Sequence, residues 1–181
     1  MASITTRLMT VAELDQLPES GDFYYELRHG ESVKVTRPVL NHVFAQKQLM
    51  ALLDAAGDRG FALTEVAFRP LPEHELRVAD VAYASRERWV QEDPQRHFRG
   101  VPDIVIEVLS PSNGAIEMLE EKEQLCLENG GREFWVVDMD RRQVKVSTPD
   151  GHTVTYKFGQ KIELLFGGRL AVEDIFLKQI G

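Results

Sequence analysis

The chain has 181 residues, of which 43% are hydrophobic and 28% charged, a balance typical of a soluble globular protein. This length predicts a single domain over residues 1–181, and the composition excludes collagen, coiled-coil, disordered-tail and disulfide-scaffold proteins. The net charge of −8, from 29 acidic and 21 basic residues, argues against a protein that coats nucleic acid non-specifically through clustered positive charge.

The first half of the chain predicts a short helix followed by a hairpin. Thr10 and Glu13 have the spacing of a capping box, which marks the start of a helix. Two strands, over 23–28 and 31–37, flank a His-Gly pair and predict a small β-hairpin.

A longer helix and two further strands come next. The helix is predicted from Pro38 to about Ala56, since proline suits the first turn of a helix. Strands over 61–69 and 76–84 follow, and residues 86–100 are expected to form a charged loop with one helical turn. The apolar positions of the helix are Leu40, Val43, Phe44, Leu49, Leu52 and Leu53.

The second half alternates strands with a single long helix. Residues 103–109 form a near-continuous apolar run, typical of a strand covered on both faces. A helix is predicted from Ser112 or Asn113 to Gly130, and the tail over 162–175 predicts one short strand and a last helical turn. Further strands are predicted over 133–138, 143–147 and 153–158. These elements indicate an α/β fold of α+β character with a central mixed sheet.

The cysteine content and the hydropathy pattern bear on location. A single cysteine, Cys126, cannot form an internal disulfide and indicates a reducing compartment. No apolar run approaches the roughly 18 residues of a membrane span. Residues 1–10 also lack the apolar core of a signal peptide. We therefore expect a cytoplasmic protein with no membrane partner.

Three carboxylates stand inside apolar strands, where an isolated charge is costly. Glu107 lies within Ile-Val-Ile-Glu-Val-Leu, Asp80 within Val-Ala-Asp-Val-Ala-Tyr, and Glu26 within Phe-Tyr-Tyr-Glu-Leu. A buried carboxylate either takes up a proton or finds a cation. The alternative for each is a structural acid, paired with an arginine or exposed at a strand end. Three together favour a hard divalent cation bound by oxygen, Mg²⁺ or Mn²⁺.

Lys122 is the fourth charge in an unexpected place. At about 100° per residue, Met118, Leu119, Leu125 and Cys126 gather on one face of the predicted helix, and Lys122 falls within that stripe. A lysine there either snorkels outward or meets an anion. Because the preceding strand carries a carboxylate, an inward lysine would reach the acidic cluster.

Other patterns are weaker. The segment over 86–100 could clamp a nucleic-acid backbone through Arg86, Arg88, Arg96 and Arg99, with an aromatic ring stacked on a base; an ordinary solvated loop is the alternative. Ser110–Gly114 precedes a helix and is a candidate phosphate loop, but it lacks the glycine pattern of a P-loop. The histidines show no zinc-binding spacing, and no nucleophile elbow occurs.

Five short motifs follow one another in order along the chain. They are Tyr25-Glu26-Leu27 with Gly30-Glu31, Arg77 to Ala82, Pro102 to Ser112, Lys122, and Glu133 to Asp138. From about Met9 to Phe176 the chain resembles the Uma family of restriction-endonuclease-like proteins, within the PD-(D/E)XK nuclease superfamily. The resemblance implies a restriction-endonuclease-like core with flanking helices and additional β-hairpins. It also implies Mg²⁺-dependent cleavage of DNA and a homodimer.

Two positions depart from the usual pattern. In the superfamily's Glu-x-Lys motif, lysine follows glutamate by two residues, where this chain has Leu109. The Uma pattern instead takes a lysine from the next helix, which would be Lys122. Family members often carry tyrosine four residues after that lysine, where this chain has Cys126.

The first metal ligand has two candidates, and strand geometry favours Asp80 over Asp103. Four residues along one strand, at about 3.3 Å each, separate Asp103 from Glu107 by roughly 13 Å. Oxygens that bind one Mg²⁺ must lie within about 2.1 Å of it. A carboxylate from a neighbouring strand therefore fits better.

The predicted catalytic residues are Glu26, Asp80, Glu107 and Lys122. Asp80 and Glu107 would hold Mg²⁺, for which Mn²⁺ can substitute, with the Val108 backbone carbonyl as a third ligand. Glu26 would bind a second metal or orient the attacking water. Lys122 would position or deprotonate that water and stabilise charge on phosphorus.

Two other classes stay open beside a DNA endonuclease. One is a catalytically degenerate nuclease-fold protein that binds nucleic acid or a partner without cleaving it. The other is a metal-dependent hydrolase of a small phosphorylated substrate, which the acidic net charge of −8 makes plausible.

Overall fold

A computed structural model describes residues 7–18, 21–109 and 115–176, and for 115–117 only the backbone. The helices in this part of the chain are α1 (Val11–Leu14), α2 (Leu40–Ala55), α3 (Arg86–Trp89), α4 (Ala115–Glu128) and α5 (Val172–Phe176). The strands are β1 (Phe23–Arg28), β2 (Glu31–Thr36), β3 (Gly60–Arg69), β4 (Arg77–Ser85), β5 (Phe98–Arg99), β6 (Ile104–Val108), β7 (Glu133–Asp138), β8 (Gln143–Ser147), β9 (Thr153–Lys157), β10 (Lys161–Glu163) and β11 (Arg169–Ala171).

Seven of the described strands form one mixed sheet in the order β5-β3-β4-β6-β7-β8-β9. β3, β4 and β6 are antiparallel neighbours, as are β7, β8 and β9, whereas β6 and β7 run parallel. Helix α4 lies in the connection between β6 and β7, because parallel neighbours need a crossover. The predicted mixed sheet with flanking helices is therefore confirmed.

Both faces of this sheet are covered. One apolar cluster contains Leu49 and Leu53 of α2, and the other contains Cys126 of α4. Strand β6 divides its side chains between them: Ile106 belongs to the α2 cluster and Val105 to the α4 cluster. Since side chains alternate along a strand, the next residue on the Val105 side is the glutamate at 107, which turns towards α4.

The β1–β2 hairpin forms a separate two-stranded sheet beside the main one. Its turn residues, His29 and Gly30, have φ angles of 48° and 76°, as a two-residue type I′ turn requires. Leu27 and Leu76 exchange backbone hydrogen bonds of 2.9 Å and pack in a small core with α1. These contacts hold β1 against the start of β4.

The apolar positions predicted for α2 and α4 are buried only in part: Leu49, Leu53 and Cys126 belong to the core, whereas apolar positions nearer the start of each helix are exposed. Leu40, Val43 and Phe44 of α2 are 68%, 43% and 40% exposed, and Met118 of α4 is 45% exposed. The exposed positions lie before the part of each helix that packs in the core, which begins at Ala45 in α2 and includes Cys126 in α4. The buried residues of α2 are Ala45, Gln46, Leu49 and Leu53.

Several boundaries differ from the predictions. The segment 86–100 contains the predicted helical turn, α3, and also the short strand β5. The tail carries an antiparallel strand pair, β10–β11, where one strand was predicted. The Ser110–Gly114 loop and the predicted helix start at Ser112 or Asn113 lie outside the described residues. Among the described helices, none combines the length and the apolar character needed to cross a membrane.

Candidate active site

Asp80 and Glu107 lie on neighbouring strands, β4 and β6. The antiparallel register pairs Val81 with Ile106, so the next step along both strands sets Asp80 opposite Glu107. Asp80 Oδ2 accepts a hydrogen bond of 2.7 Å from the Val108 N–H, which anchors this carboxylate across the end of β6. The structure thus brings the two predicted metal ligands together.

Lys122 points inward from α4 and does not snorkel, since its side chain is only 7% exposed. Its Nζ lies 2.8 Å from Glu107 Oε1 and 3.7 Å from Glu26 Oε1. It also donates a hydrogen bond of 2.7 Å to the Val78 carbonyl. One ammonium therefore joins three separate strands, β1, β4 and β6.

Glu26 extends from the hairpin towards Lys122, and both of its carboxylate oxygens accept hydrogen bonds. Its Oε1 accepts from the Val78 N–H at 3.0 Å, and its Oε2 accepts from Arg28 at 2.7 and 3.0 Å. Burial would raise the pKa of Glu26, but Lys122 and Arg28 outweigh it and hold that pKa below its ordinary value. Glu26 is therefore a carboxylate at neutral pH.

Glu107 is short of positive charge. Burial raises its pKa to about 8, and repulsion from Asp80 and Glu26 adds to the rise, although Lys122 opposes it. Burial would lower the pKa of Lys122, but Glu107 and Glu26 hold it above its ordinary value. At neutral pH the lysine is a cation, whereas the glutamate needs a proton or a further cation.

Three polar side chains of this site, His42, Gln46 and Glu65, were not predicted from the sequence. His42 Nε2 lies 2.9 Å from Asp80 Oδ1, and Gln46 Nε2 donates to the same oxygen at 3.1 Å. Gln46 also donates to Glu65. Burial would lower the pKa of His42, but its hydrogen bond and charge interaction with Asp80 raise that pKa above its ordinary value.

A signal for two of these residues was present. Gln46 is 2% exposed and has helical spacing with Leu49 and Leu53, so a polar residue interrupts the buried stripe of α2. His42 precedes it by four residues and therefore shares its face. Glu65 has a φ of 54°, uncommon for a non-glycine residue and strained within a strand, and no sequence pattern announces it.

An open cleft of about 280 Å³ lies between the hairpin, α2 and α4, and its lining includes Glu26, His42, Glu65, Asp80, Glu107 and Lys122. The donor set fits a magnesium ion, because Asp80 and Glu107 offer carboxylate oxygens and Glu107 shares its one close cation, Lys122, with Glu26. No group of three His, Cys, Asp or Glu among the described residues converges into a ready-made metal site. An ion held here would keep water or substrate oxygens as its other ligands, as Mg²⁺ commonly does.

Asp103 lies outside this cleft. Its Oδ2 accepts from the Ser85 N–H at 2.9 Å and its Oδ1 from Arg88 at 2.8 Å, so it joins the ends of β4 and β6 to α3. Cys126 packs in the α4 cluster, and burial raises the pKa of its thiol. The contacts of both residues therefore belong to the fold and not to the cleft.

The four arginines of the segment 86–100 do not line the cleft either. Each has a local partner. Arg86 donates to the Asp58 carbonyl and Arg88 pairs with Asp103. Arg96 pairs with Asp93, and Arg99 with Glu92. Their contact with nucleic acid stays a prediction.

A solved structure shares this fold. It is the crystal structure of a "putative nuclease belonging to DUF820" from Anabaena variabilis, with a TM-score of 0.74 and 21% sequence identity. The similarity covers 93% of this chain and 97% of that one. The search against curated proteins found no match.

A family model also matches the sequence. It is Uma2, described as "Putative restriction endonuclease", and the match runs over residues 11–177. The match spans nearly the whole chain and agrees with the resemblance carried by the motifs. The chain therefore belongs to the Uma2 family.

Proposed function

We propose that this protein is a Mg²⁺-dependent endonuclease that hydrolyses DNA phosphodiester bonds, with Mn²⁺ able to replace Mg²⁺. The observation that carries the proposal is the inward Lys122, 2.8 Å from Glu107 and next to Asp80, at the base of an open cleft. A fixed cation beside two carboxylates is suited to phosphoryl chemistry. Membership of the Uma2 family supports a nuclease.

Asp80 and Glu107 would hold the metal, with the Val108 carbonyl as a third ligand. When bound, the ion polarises a phosphoryl oxygen and lowers the pKa of a water molecule. The Val108 N–H keeps Asp80 in place, and His42 and Gln46 restrain its other oxygen. These contacts preorganise one ligand before substrate arrives.

Lys122 acts as a cation in this proposal. Because Glu107 and Glu26 hold its pKa above the ordinary value, it keeps its proton at neutral pH in the metal-free protein. Its ammonium orients the attacking water and stabilises the negative charge that develops on the phosphoryl oxygens. Glu26, ion-paired with Arg28 and 3.7 Å from Lys122, would position Lys122 and the attacking water.

The reaction is in-line hydrolysis. The water oxygen forms a bond to phosphorus, and the bond from phosphorus to the leaving sugar oxygen breaks. The attacking water releases one proton to solvent, and the leaving oxygen takes up one proton from solvent. No oxidant, reductant or further substrate is needed.

Mn²⁺-supported nicking of supercoiled plasmid tests the proposal. We expect Lys122→Met to lower the nicking rate by about 10²-fold, the scale of one preorganised charge at the transition state, and to change metal affinity little. Glu107→Ala should abolish nicking. The matched control is Lys145→Met, which removes a lysine ion-paired to Glu123 at 2.7 Å outside the cleft, and it should leave nicking unchanged.

The outcomes separate the candidate functions. Equal nicking by wild type, Lys122→Met and Glu107→Ala would point to a contaminating nuclease and remove support for the proposal. Loss in Glu107→Ala alone would keep the metal site and exclude Lys122 from the mechanism.

The homodimer and the cytoplasmic location stay predictions. Light scattering of the purified protein tests the homodimer.

A further inference from the structure

A second cavity adjoins the catalytic cleft. Tyr24, Arg37, Glu65 and Val78 line both, so the two spaces are adjacent. The second cavity measures about 310 Å³, within the size range of sites that hold small organic groups. Its apolar wall includes Leu14, Leu17, Ala67 and Leu76.

Strand β1 lines this cavity with aromatic rings. The rings of Phe23 and Tyr25 meet edge to face, with their centres 5.3 Å apart. The Arg37 guanidinium lies 5.7 Å from the centre of the Tyr24 ring, and Lys34 Nζ lies 4.4 Å from that of Phe23. Aromatic rings accompanied by cations are a common means of binding unpaired bases through stacking.

The cavity carries charges of both signs, with Asp15 and Glu65 beside Arg37 and His97. His97 Nε2 lies 2.9 Å from Asp15 Oδ1, and both residues line the cavity, as does Glu65. Carboxylates repel a phosphate, but they accept hydrogen bonds from the amino groups of bases. The neighbouring cleft also contains carboxylates, but there Arg28, Lys122 and the metal ion of the proposed function would offset them and receive the anionic part of a nucleotide.

We propose that this cavity is a subsite for one unpaired nucleobase, next to the phosphate that lies in the catalytic cleft. The proposal rests on the proposed function and specifies its substrate class, single-stranded or locally unpaired DNA. A base must leave its stack to enter such a pocket, and this is least costly where it is unpaired already. The Tyr24 and Arg37 pair lines both spaces.

Fluorescence polarisation of a labelled single-stranded oligonucleotide, with Ca²⁺ replacing Mg²⁺, tests this subsite. Ala67→Trp fills the cavity and should weaken binding by about tenfold, the scale of one lost base stack. Tyr25→Leu removes an aromatic ring but keeps an apolar side chain, and it should weaken binding several-fold. The control is Leu63→Trp on the same strand, at an exposed residue that lines neither space.

A blunt duplex of the same sequence should bind all three variants as it binds wild type. Wild-type affinity for the single strand in both Ala67→Trp and Tyr25→Leu would overturn the subsite. So would an equal loss for single strand and duplex, or no single-strand binding by the wild type. Plasmid nicking is read separately: a protein that never nicks but binds single strands through this cavity keeps the subsite and refutes the endonuclease.

Discussion

Replacing Glu107 by glutamine removes the charge of the buried carboxyl on β6 while keeping its size. In the metal-free protein, burial raises the pKa of this carboxyl from 4.5 to about 8. Each pKa unit corresponds to about 1.4 kcal/mol, so ionised Glu107 destabilises the folded protein by an amount on the order of 5 kcal/mol. Glutamine carries no such penalty.

The direction in which pH changes this stability difference follows from the linkage between protonation and folding. Because the folded pKa is raised, the contribution of Glu107 to stability is fully present below pH 4.5 and is lost as the pH rises through about 8. We therefore expect wild type and Glu107→Gln to be about equally stable at pH 4.5 and below. Above pH 8 the variant should be more stable by several kcal/mol.

Urea denaturation across a pH series, in buffers with EDTA, measures this difference. Adding Mg²⁺ should stabilise the wild type above pH 8 and have little effect on Glu107→Gln, because only a folded protein with both carboxylates binds the ion well. A variant less stable than wild type at high pH would refute the reasoning. It would mean that the ion pair with Lys122 stabilises the fold more than burial of the carboxylate destabilises it.

Two further predictions concern metal and DNA. Asp80→Ala and Glu107→Ala should each abolish Mn²⁺ binding in calorimetric titration while the fold survives, and unchanged affinity in both would reject the site. Arg96→Ala with Arg99→Ala should weaken DNA binding equally across sequences and lower the salt dependence by about one unit per lost phosphate contact. An unchanged salt slope in that double variant would mean that these arginines belong to ordinary solvated surface.

Much of the fold and the centre of the site could be predicted from the sequence, because local patterns carry them. Apolar runs with a single embedded acid marked β4 and β6, and adjacent strands bring such acids together. Helical periodicity predicted that Lys122 lies on the core-facing side of α4, and in the structure its Nζ lies 2.8 Å from Glu107 Oε1. The capping box at Thr10 and the His-Gly turn likewise depend on neighbours within a few residues.

Only the tertiary structure decided what surrounds this centre. His42 and Gln46 reach Asp80 because α2 packs on β3 and β4, and Glu65 joins them at a positive φ within β3. The same placement exposes the apolar start of α2, against the periodicity of its sequence. The cavity beside the cleft forms where the hairpin lies against β3 and β4. Such features depend on how distant elements dock, and periodicity within one element carries no information about its partner.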